Sequence, residues 1–331
     1  MNASTFPSLL QHFFTDRLLR QLGASSHTVA SYRDTFRLLL RFAAQRLKRE
    51  PSDLRLEDLD ASFLGDFLDH LELDRRNRIR TRNNRLAALH AFFRYVSLSE
   101  PAHALHCQRV LAIPAKRYER GPVEFLTEEE TTALVAAPDR ETWIGRRDWA
   151  LLLVGVQTGL RNSEITSLRR RDVEFGTGAH LRCLGKGRKT RCTPLRRDVA
   201  AVLQQWLSAQ GGGPDDPLFP SSRGGPLSAD ALQRLVARQA ATARRACPSL
   251  TGKTVTPHTL RHTAAMDLLQ RGVDLTVIAL WLGHESTETT QIYLHADMRL
   301  KERALAHTTL RGVAPACYRP PDALLTFLES L

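Results

Sequence analysis

The sequence lacks any apolar run long enough to cross a bilayer. A membrane-spanning helix needs about 20 consecutive apolar residues, and the longest run here, residues 149–156 (WALLLVGV), has the length of a buried helix. The chain also does not open with a basic segment followed by an apolar stretch and a cleavage site, which is the pattern of a secretory signal. We therefore expect a cytoplasmic protein with no membrane-spanning segment.

Cysteines are few and scattered, at positions 107, 183, 192, 247 and 317. A disulfide framework or a zinc site needs cysteines at short, paired spacings, and this set has none. Cys183 and Cys192 could face each other across a candidate hairpin, but reduced thiols are the expectation for a cytosolic protein. The sequence implies no metal.

The chain has 331 residues, of which 42% are hydrophobic, enough for two domains with their own cores. Lysine and arginine outnumber aspartate and glutamate by 47 to 35, which gives a net charge of +12. A basic balance of this size indicates a polyanionic partner, either nucleic acid or an acidic membrane surface. Composition alone leaves both alternatives open.

Residues 1–97 are predicted to form a helical bundle, because apolar residues recur there at helical spacing in four segments. The fourth helix, predicted at about 81–96, opens with a dense basic patch. Its members are Arg75, Arg76, Arg78, Arg80, Arg82 and Arg85. Like charges this close repel one another unless an anion neutralises them, which predicts contact with a DNA backbone. The alternative is a solvated helix face.

Residues 98–124 contain Pro101, Pro114 and the basic pair Lys116 and Arg117, and are predicted to be an extended, positively charged linker. A second domain, residues 125–331, begins with a capping box in which Thr127 precedes the next helix. Two short strands are predicted around a glycine-rich turn, residues 185–189 (GKGRK). The predicted fold is thus mainly α with a small β-hairpin region.

Two arginines lie in contexts that suit phosphate chemistry. Attack on a phosphodiester builds charge on the non-bridging oxygens, and an enzyme without metal must meet it with fixed cations. Arginine binds phosphate through a planar fork and stays protonated. Arg161 lies in residues 158–164 (TGLRNSE), where Glu164 would share its helix face and orient it. Without this context, Arg161 would be more typical of a solvated helical arginine.

The second arginine, Arg261, lies in residues 257–262 (PHTLRH) near a predicted helix start, three residues after His258 and on the same face. His262 is predicted to point elsewhere and to be structural. His284 follows a glycine that suggests a helix end, and Tyr293 comes nine residues later. A free tyrosine has a pKa near 10 and needs neighbouring cations or a base to become a nucleophile.

These motifs, in this order, resemble the tyrosine recombinases, also called the phage integrase family, and the Xer-like site-specific recombinases among them. The six catalytic positions of the family find a match here, at Arg161, Lys186, His258, Arg261, His284 and Tyr293. Lys186 best matches the lysine that the family carries in a β-turn as general acid, with Lys189 as the other possibility. Arg188 and Lys189 are then expected to contact DNA.

The resemblance implies an N-terminal helical core-binding domain and a C-terminal mixed α/β catalytic domain. Tyr293 would form a 3′-phosphotyrosyl link with double-stranded DNA, without cofactor, and strand exchange would pass through a Holliday junction. A homo-tetramer on two DNA sites, alone or with related recombinases, is the family's usual assembly, and residues 322–331 would dock on a neighbouring protomer. Integration, transposition of a mobile element and dimer resolution all use this chemistry. The alternatives are a type IB topoisomerase and a non-catalytic DNA-binding regulator.

Overall fold

The computed structural model describes residues 5–119, 123–185 and 190–284, together with Thr290, Gln291 and Tyr293. The chain divides into two compact units, Met1–Gly121 and Pro122–Leu331. Within the described ranges, no helix combines the length and the apolar character needed to cross a membrane. The predicted roles of Lys186, Arg188, Lys189 and residues 322–331 lie outside the described residues.

The first unit is a bundle of helices around an aromatic core. Its α-helices are α1 (Phe6–His12, continued by a π-helical stretch over Phe13–Gln21), α2 (Ser26–Leu47), α3 (Ala61–Leu73), α4 (Ile79–Ser99) and α5 (Ala104–Leu111). The Ser25 side chain caps α2 and the Asp60 side chain caps α3. In the core, Phe92 packs against Phe36 and Phe13 with ring centroids 5.2 and 5.5 Å apart. The predicted helical bundle is confirmed.

Helix α5 corrects the prediction of an extended linker over residues 98–124. Cys107 and Val110 on this helix are fully buried in the core of the first unit. The flanking prolines, Pro101 and Pro114, suggested extended chain, but Pro101 begins a 3₁₀ turn that leads into α5. Lys116, expected to be a free cation for DNA, donates to the Glu72 carboxylate at 2.8 Å.

The basic patch divides into surface and interior arginines. Arg75, Arg76, Arg78 and Arg80 are exposed. Arg82 is only 5% exposed and donates to the Pro114 carbonyl at 3.2 Å. Arg85 is half-buried, where it donates to the Ser31 carbonyl and to the Thr35 hydroxyl. The guanidinium groups of Arg82 and Arg85 thus join segments of the bundle, whereas Arg75, Arg76, Arg78 and Arg80 lie on the surface. Contact of the patch with DNA stays a prediction.

The second unit packs helices around a small antiparallel sheet. Its α-helices are α6 (Glu128–Ala136), α7 (Trp143–Thr158), α8 (Asn162–Ser167), α9 (Arg197–Gln210), α10 (Ala229–Ala243), α11 (Pro257–Gln270) and α12 (Leu275–Leu282). Its strands are β1 (Val173–Glu174), β2 (His180–Leu184) and β3 (Thr190–Pro194), in the order β1-β2-β3. The predicted capping box at Thr127 is present. The mainly α fold with a small β region is thus confirmed.

The strand register separates the two hairpin cysteines. Cys183 on β2 pairs with Arg191 on β3, whereas Cys192 pairs with Arg182. Directly opposed residues share a face and successive residues alternate, so the cysteines lie on opposite faces, one buried and one exposed. They do not face each other, and burial raises the pKa of the Cys183 thiol to about 11.

Candidate active site

Arg161 lies at the turn between two helices, as the sequence predicts. Helix α7 ends at Gly159, whose φ of 62° is left-handed, and Arg161 is the residue that precedes α8. The Glu164 carboxylate accepts from the Arg161 backbone N–H at 2.7 Å and from its Nη1 at 2.9 Å. Nη2 donates to the Gly283 carbonyl at 2.8 Å. Glu164 therefore orients this guanidinium, and the turn after α12 completes its position.

Arg261 ties together the ends of two other helices. It lies in the second turn of α11, whose N-terminus is capped by the Thr256 hydroxyl. The side chain is only 3% exposed, and its two Nη atoms donate to the carbonyls of Gly159 and Leu282, each at 2.8 Å. Burial, followed by the charge of Arg161, lowers its pKa to about 10. The group therefore stays protonated at neutral pH.

Two glycines permit this convergence. A Cβ on Gly159 would lie 2.7 Å from the Leu282 side chain, and a Cβ on Gly283 would clash with Nη1 of Arg191. Both have positive φ angles, of 62° and 64°, which side chains rarely adopt. Gly159 and Gly283 thus let the two arginines and the turn before His284 approach one another closely.

A surface cleft of about 510 Å³ opens beside the arginines. Arg161 and Arg261 line it together with His258, which is exposed, and with Gln233 on α10. The N-terminus of α11 also lies at this cleft, and the helix dipole there favours an anion. The cleft thus offers two fixed cations and an accessible imidazole to a phosphate group.

Tyr293 lies in a buried apolar environment. It is 1% exposed and belongs to a cluster with Met266, Leu269, Ile278 and Leu282. Burial outweighs the nearby arginine charges and raises its pKa to about 12, so the hydroxyl keeps its proton in this arrangement. The predicted nucleophile is therefore close to the site but withheld from the surface.

His262 contacts Tyr293, so the prediction that it points elsewhere is wrong. Its Nδ1 lies 2.9 Å from the tyrosine Oη, and its ring lies 4.2 Å from that of His258 in an edge-to-face arrangement. Positions four apart on a helix share a face, and this spacing was the available sequence signal. His262 connects the buried tyrosine to the imidazole at the cleft.

His284 follows the end of α12, as predicted. Its backbone N–H donates to the Ala279 carbonyl, and its Nδ1 lies 2.8 Å from the Thr290 hydroxyl. Burial, followed by the charges of Arg261, Arg161 and Arg191, lowers its pKa to about 4. Arg191, which sequence reasoning did not single out, is paired with Glu164 at 2.8 Å. No sequence signal marked it, because the strand register that places Arg191 opposite the buried Cys183 follows only from the structure.

The half-buried histidines His262 and His284 predict a pH-dependent stability. Burial, followed by the charges of His258 and Arg261, lowers the His262 pKa from 6.5 to about 4, close to that of His284. The unfolded chain takes up these protons near pH 6.5 and the folded protein only near pH 4. Stability is therefore complete above pH 6.5 and falls as the pH decreases through this window.

We expect the thermal midpoint to fall as the pH is lowered from 6.5 to 4.5. This range does not extend below 4.5, the ordinary pKa of the Glu164 carboxyl. A His262→Gln/His284→Gln double variant should show a shallower slope over this range in thermal unfolding followed by circular dichroism. An unchanged slope would contradict the burial of neutral imidazoles.

Two clustered arginines, three histidines and a tyrosine on a helical unit with a small sheet define a site of the tyrosine recombinase class. The model of the phage integrase family matches residues 124–299, and that of the phage integrase N-terminal SAM-like domain matches residues 12–98. The chain belongs to the phage integrase family.

Relatives of similar sequence align with most of the chain. The integrase/recombinase y4rC of Sinorhizobium fredii is 56% identical over 330 residues, which cover 100% of this chain and 99% of that protein. The tyrosine recombinase XerC of Pelobacter propionicus is 34% identical over 293 residues, covering 88% of this chain and 90% of the relative.

Solved structures support the fold. The XerH site-specific recombinase in its post-cleavage complex with difH DNA aligns with a TM-score of 0.66 at 23% identity, over 86% of this chain and 80% of that one. The Tn1549 transposon integrase bound to transposon right-end DNA aligns with a TM-score of 0.68 at 16% identity, over 92% and 99% of the two chains.

Proposed function

We propose that the protein is a site-specific DNA recombinase that cuts and rejoins DNA strands through a covalent link to Tyr293. The observation that carries this proposal is the convergence of Arg161 and Arg261 on the turn between Leu282 and His284, because both guanidinium groups donate to its carbonyls. The relatives are named as recombinases and integrases, which favours strand exchange over topoisomerase-type relaxation.

The site supports an in-line displacement at phosphorus. The Tyr293 Oη attacks the scissile phosphate and loses its proton, the 5′ oxygen departs and takes up a proton, and a 3′-phosphotyrosyl link remains. Arg161 and Arg261 meet the charge that develops on the non-bridging oxygens. Lys186 is the proposed general acid for the leaving oxygen. A 5′ hydroxyl from a second duplex then attacks the phosphorus and loses its proton, the bond to the Tyr293 oxygen breaks, and the tyrosine regains a proton as the phosphodiester is restored.

This chemistry needs neither ATP nor metal. The energy of the cleaved bond is kept in the phosphotyrosyl link, so rejoining requires no further energy source. The arginines fill the role that a metal cation has in other phosphoryl-transfer sites. The imidazole of His258 is exposed at the cleft and can exchange a proton with a group bound there.

Tyr293 must reach the cleft before it can attack. At 1% exposure its hydroxyl cannot meet a phosphate on a DNA duplex, and its contact with His262 holds it in the apolar cluster. We infer that binding and assembly on DNA move the tyrosine out of this cluster. Cleavage then starts only where recombination partners are present.

The surface charge supports double-stranded DNA as the partner. Arg75, Arg76, Arg78 and Arg80 remain exposed on the first unit, and the whole chain carries +12. Contacts of this kind go mainly to phosphates, which makes binding strong but dependent on salt. The further proposal is a cytoplasmic homo-tetramer on two DNA sites that acts through a Holliday junction in integration or transposition.

Removal of residues 322–331 is expected to weaken this assembly more than DNA binding by one protomer. The segment carries five large apolar residues for a neighbour to cover, namely Leu324, Leu325, Phe327, Leu328 and Leu331. Loss of apolar anchors at an interface should weaken tetramer formation by about tenfold or more. Sedimentation of protein–DNA complexes measures this, and an unchanged tetramer fraction would refute the docking role.

The direct test of the proposal is capture of the covalent intermediate. DNA flanking the gene is prepared as nicked fragments, so that the strand end diffuses away after cleavage and rejoining fails. We expect a protein-linked band on a denaturing gel and, after proteolysis, a nucleotide adduct on the peptide that contains Tyr293. A wild-type protein that binds these fragments and never forms an adduct would count against the recombinase assignment.

A further inference from the structure

Arg191 is a third arginine that converges on the site. It lies on strand β3, and its side chain is 13% exposed. Its fork meets the Glu164 carboxylate in a bidentate pair, with Nη1 to Oε1 at 2.8 Å and Nη2 to Oε2 at 2.9 Å. Paired geometry of this kind is the strongest and most directional arginine contact. The hairpin is thereby fastened to the segment that carries Arg161.

Glu164 is shared between the two arginines. Its side chain is 2% exposed, and its oxygens accept from the Arg161 N–H and Nη1 as well as from Arg191. Burial raises the pKa of this carboxyl, but the hydrogen bonds from Arg191 and Arg161 outweigh it and hold the pKa below its ordinary value. The carboxylate is thus ionised and saturated with donors, so its position and that of Arg161 depend on each other.

The pairing changes the charge presented to a phosphate. If Arg161 alone faced Glu164, the two charges would cancel. With Arg191 added, the cluster of these three side chains keeps one positive charge, and Arg261 adds another. Charges that are shielded from water act more strongly than surface charges, so Arg191 decides whether Arg161 acts as a cation or as half of a neutral pair.

Arg191 also contacts the turn that precedes His284. A Cβ on Gly283 would lie within 3.2 Å of three atoms of the Arg191 side chain. The carbonyl of the same glycine accepts from Arg161 at 2.8 Å. The Arg191 guanidinium therefore packs on the turn that accepts from Arg161. It also binds the Glu164 carboxylate, which orients Arg161.

We propose that Arg191 is a positioning residue of the reaction, which holds Glu164 against Arg161 and supplies the excess positive charge that stabilises the transition state. The inference rests on the proposed DNA-cleavage function. Arg191 would act through Glu164. The observations behind this role are its bidentate contact with the Glu164 carboxylate and its packing on Gly283. If Arg191 only stabilised the hairpin, its loss would lower the free energy of unfolding without changing the rate of the chemical step.

The test compares two substitutions at Arg191 with a matched control on the same hairpin. Arg191→Met keeps the aliphatic stem without the charge, and Arg191→Lys keeps the charge without the fork. Arg182 on the neighbouring strand has an exposed side chain that pairs with Glu174 at 3.0 Å, so Arg182→Met removes an arginine from the hairpin away from the site. Each protein is assayed for DNA affinity, thermal midpoint and the single-turnover rate of adduct formation on the nicked duplex.

We expect Arg191→Met to slow adduct formation by about 10²-fold, the loss typical of one preorganised cationic or donor group. Arg191→Lys should lose about tenfold, and Arg182→Met less than about twofold; DNA affinity should stay within about threefold throughout. In a Glu164→Gln background the further loss from Arg191→Met should shrink to less than about fivefold, because the carboxylate through which it acts is gone.

Three results would overturn the inference. The first is cleavage by Arg191→Met at the wild-type rate. The second is an equal loss of rate in the Lys and Met variants that follows a lowered thermal midpoint. The third is independent multiplication of the Arg191 and Glu164 effects. A wild-type protein without any adduct would instead contradict the proposed function, and the inference with it, before any variant is compared.

Discussion

Tyr293→Phe is expected to abolish strand cleavage and to leave DNA binding at the wild-type level. The phenyl ring retains its packing against Met266 and Leu282, and the substitution removes only the hydroxyl and its 2.9 Å contact with His262. That hydroxyl is the attacking atom, so the rate should fall by at least about 10⁴-fold, as for other covalent nucleophiles. Adduct formation on nicked duplexes, read on denaturing gels, measures the loss.

The matched control is Tyr118→Phe, which removes a hydroxyl from a tyrosine that is 41% exposed in the other unit. This variant should form adduct at the wild-type rate. Gel shifts at one fixed salt concentration compare the binding of all three proteins, because phosphate contacts make affinity dependent on salt. An adduct that persists in Tyr293→Phe would place the nucleophile elsewhere.

Arg161→Ala and Arg261→Ala are each expected to reduce cleavage by about 10²- to 10³-fold, since each removes a fixed cation from the transition state. Their effects on stability should differ. Loss of Arg261 leaves the buried carbonyls of Gly159 and Leu282 without their donor, at about 1–3 kcal/mol for each unsatisfied group. Loss of Arg161 leaves Glu164 still paired with Arg191, and the Gly283 carbonyl that it releases belongs to a half-buried residue that water can reach. Only Arg261→Ala should lower the thermal midpoint clearly.

Single-turnover cleavage and thermal unfolding, measured on the same preparations, separate the two effects. Arg196→Ala is the control, because its side chain is 57% exposed and pairs with Asp198 at the start of α9. It should change neither quantity appreciably. Normal turnover in Arg161→Ala or Arg261→Ala would contradict the role of the arginines in holding the phosphate.

The sequence predicted the local framework of the site well, because short-range rules decide it. Gly159 ends α7 with a left-handed backbone, and Thr256 caps α11 with Pro257 in its first turn. Glu164 lies three residues after Arg161 and contacts it. Helix ends, caps and neighbours at a spacing of three or four depend on adjacent residues alone.

Burial of charged groups could not be predicted in the same way. Six arginines between positions 75 and 85 formed a single pattern in sequence, yet Arg82 and Arg85 bond to segments 32 and 54 residues away in the chain. Helix α5 was missed because prolines on both sides suggested extended chain, whereas the bundle core accepts Cys107 and Val110. Long-range packing overrides local propensity in both cases.

The sequence by itself determined the chemical inventory of this protein: two arginines, histidines and a tyrosine in a fixed order, on helices whose ends it marks. Only the tertiary structure decided that Tyr293 is buried against His262 and that Arg191 shares Glu164 with Arg161. The reason is physical. Residue types and near-neighbour spacing are written along the chain, but exposure and ion pairing between distant segments depend on which surfaces the folded core brings together.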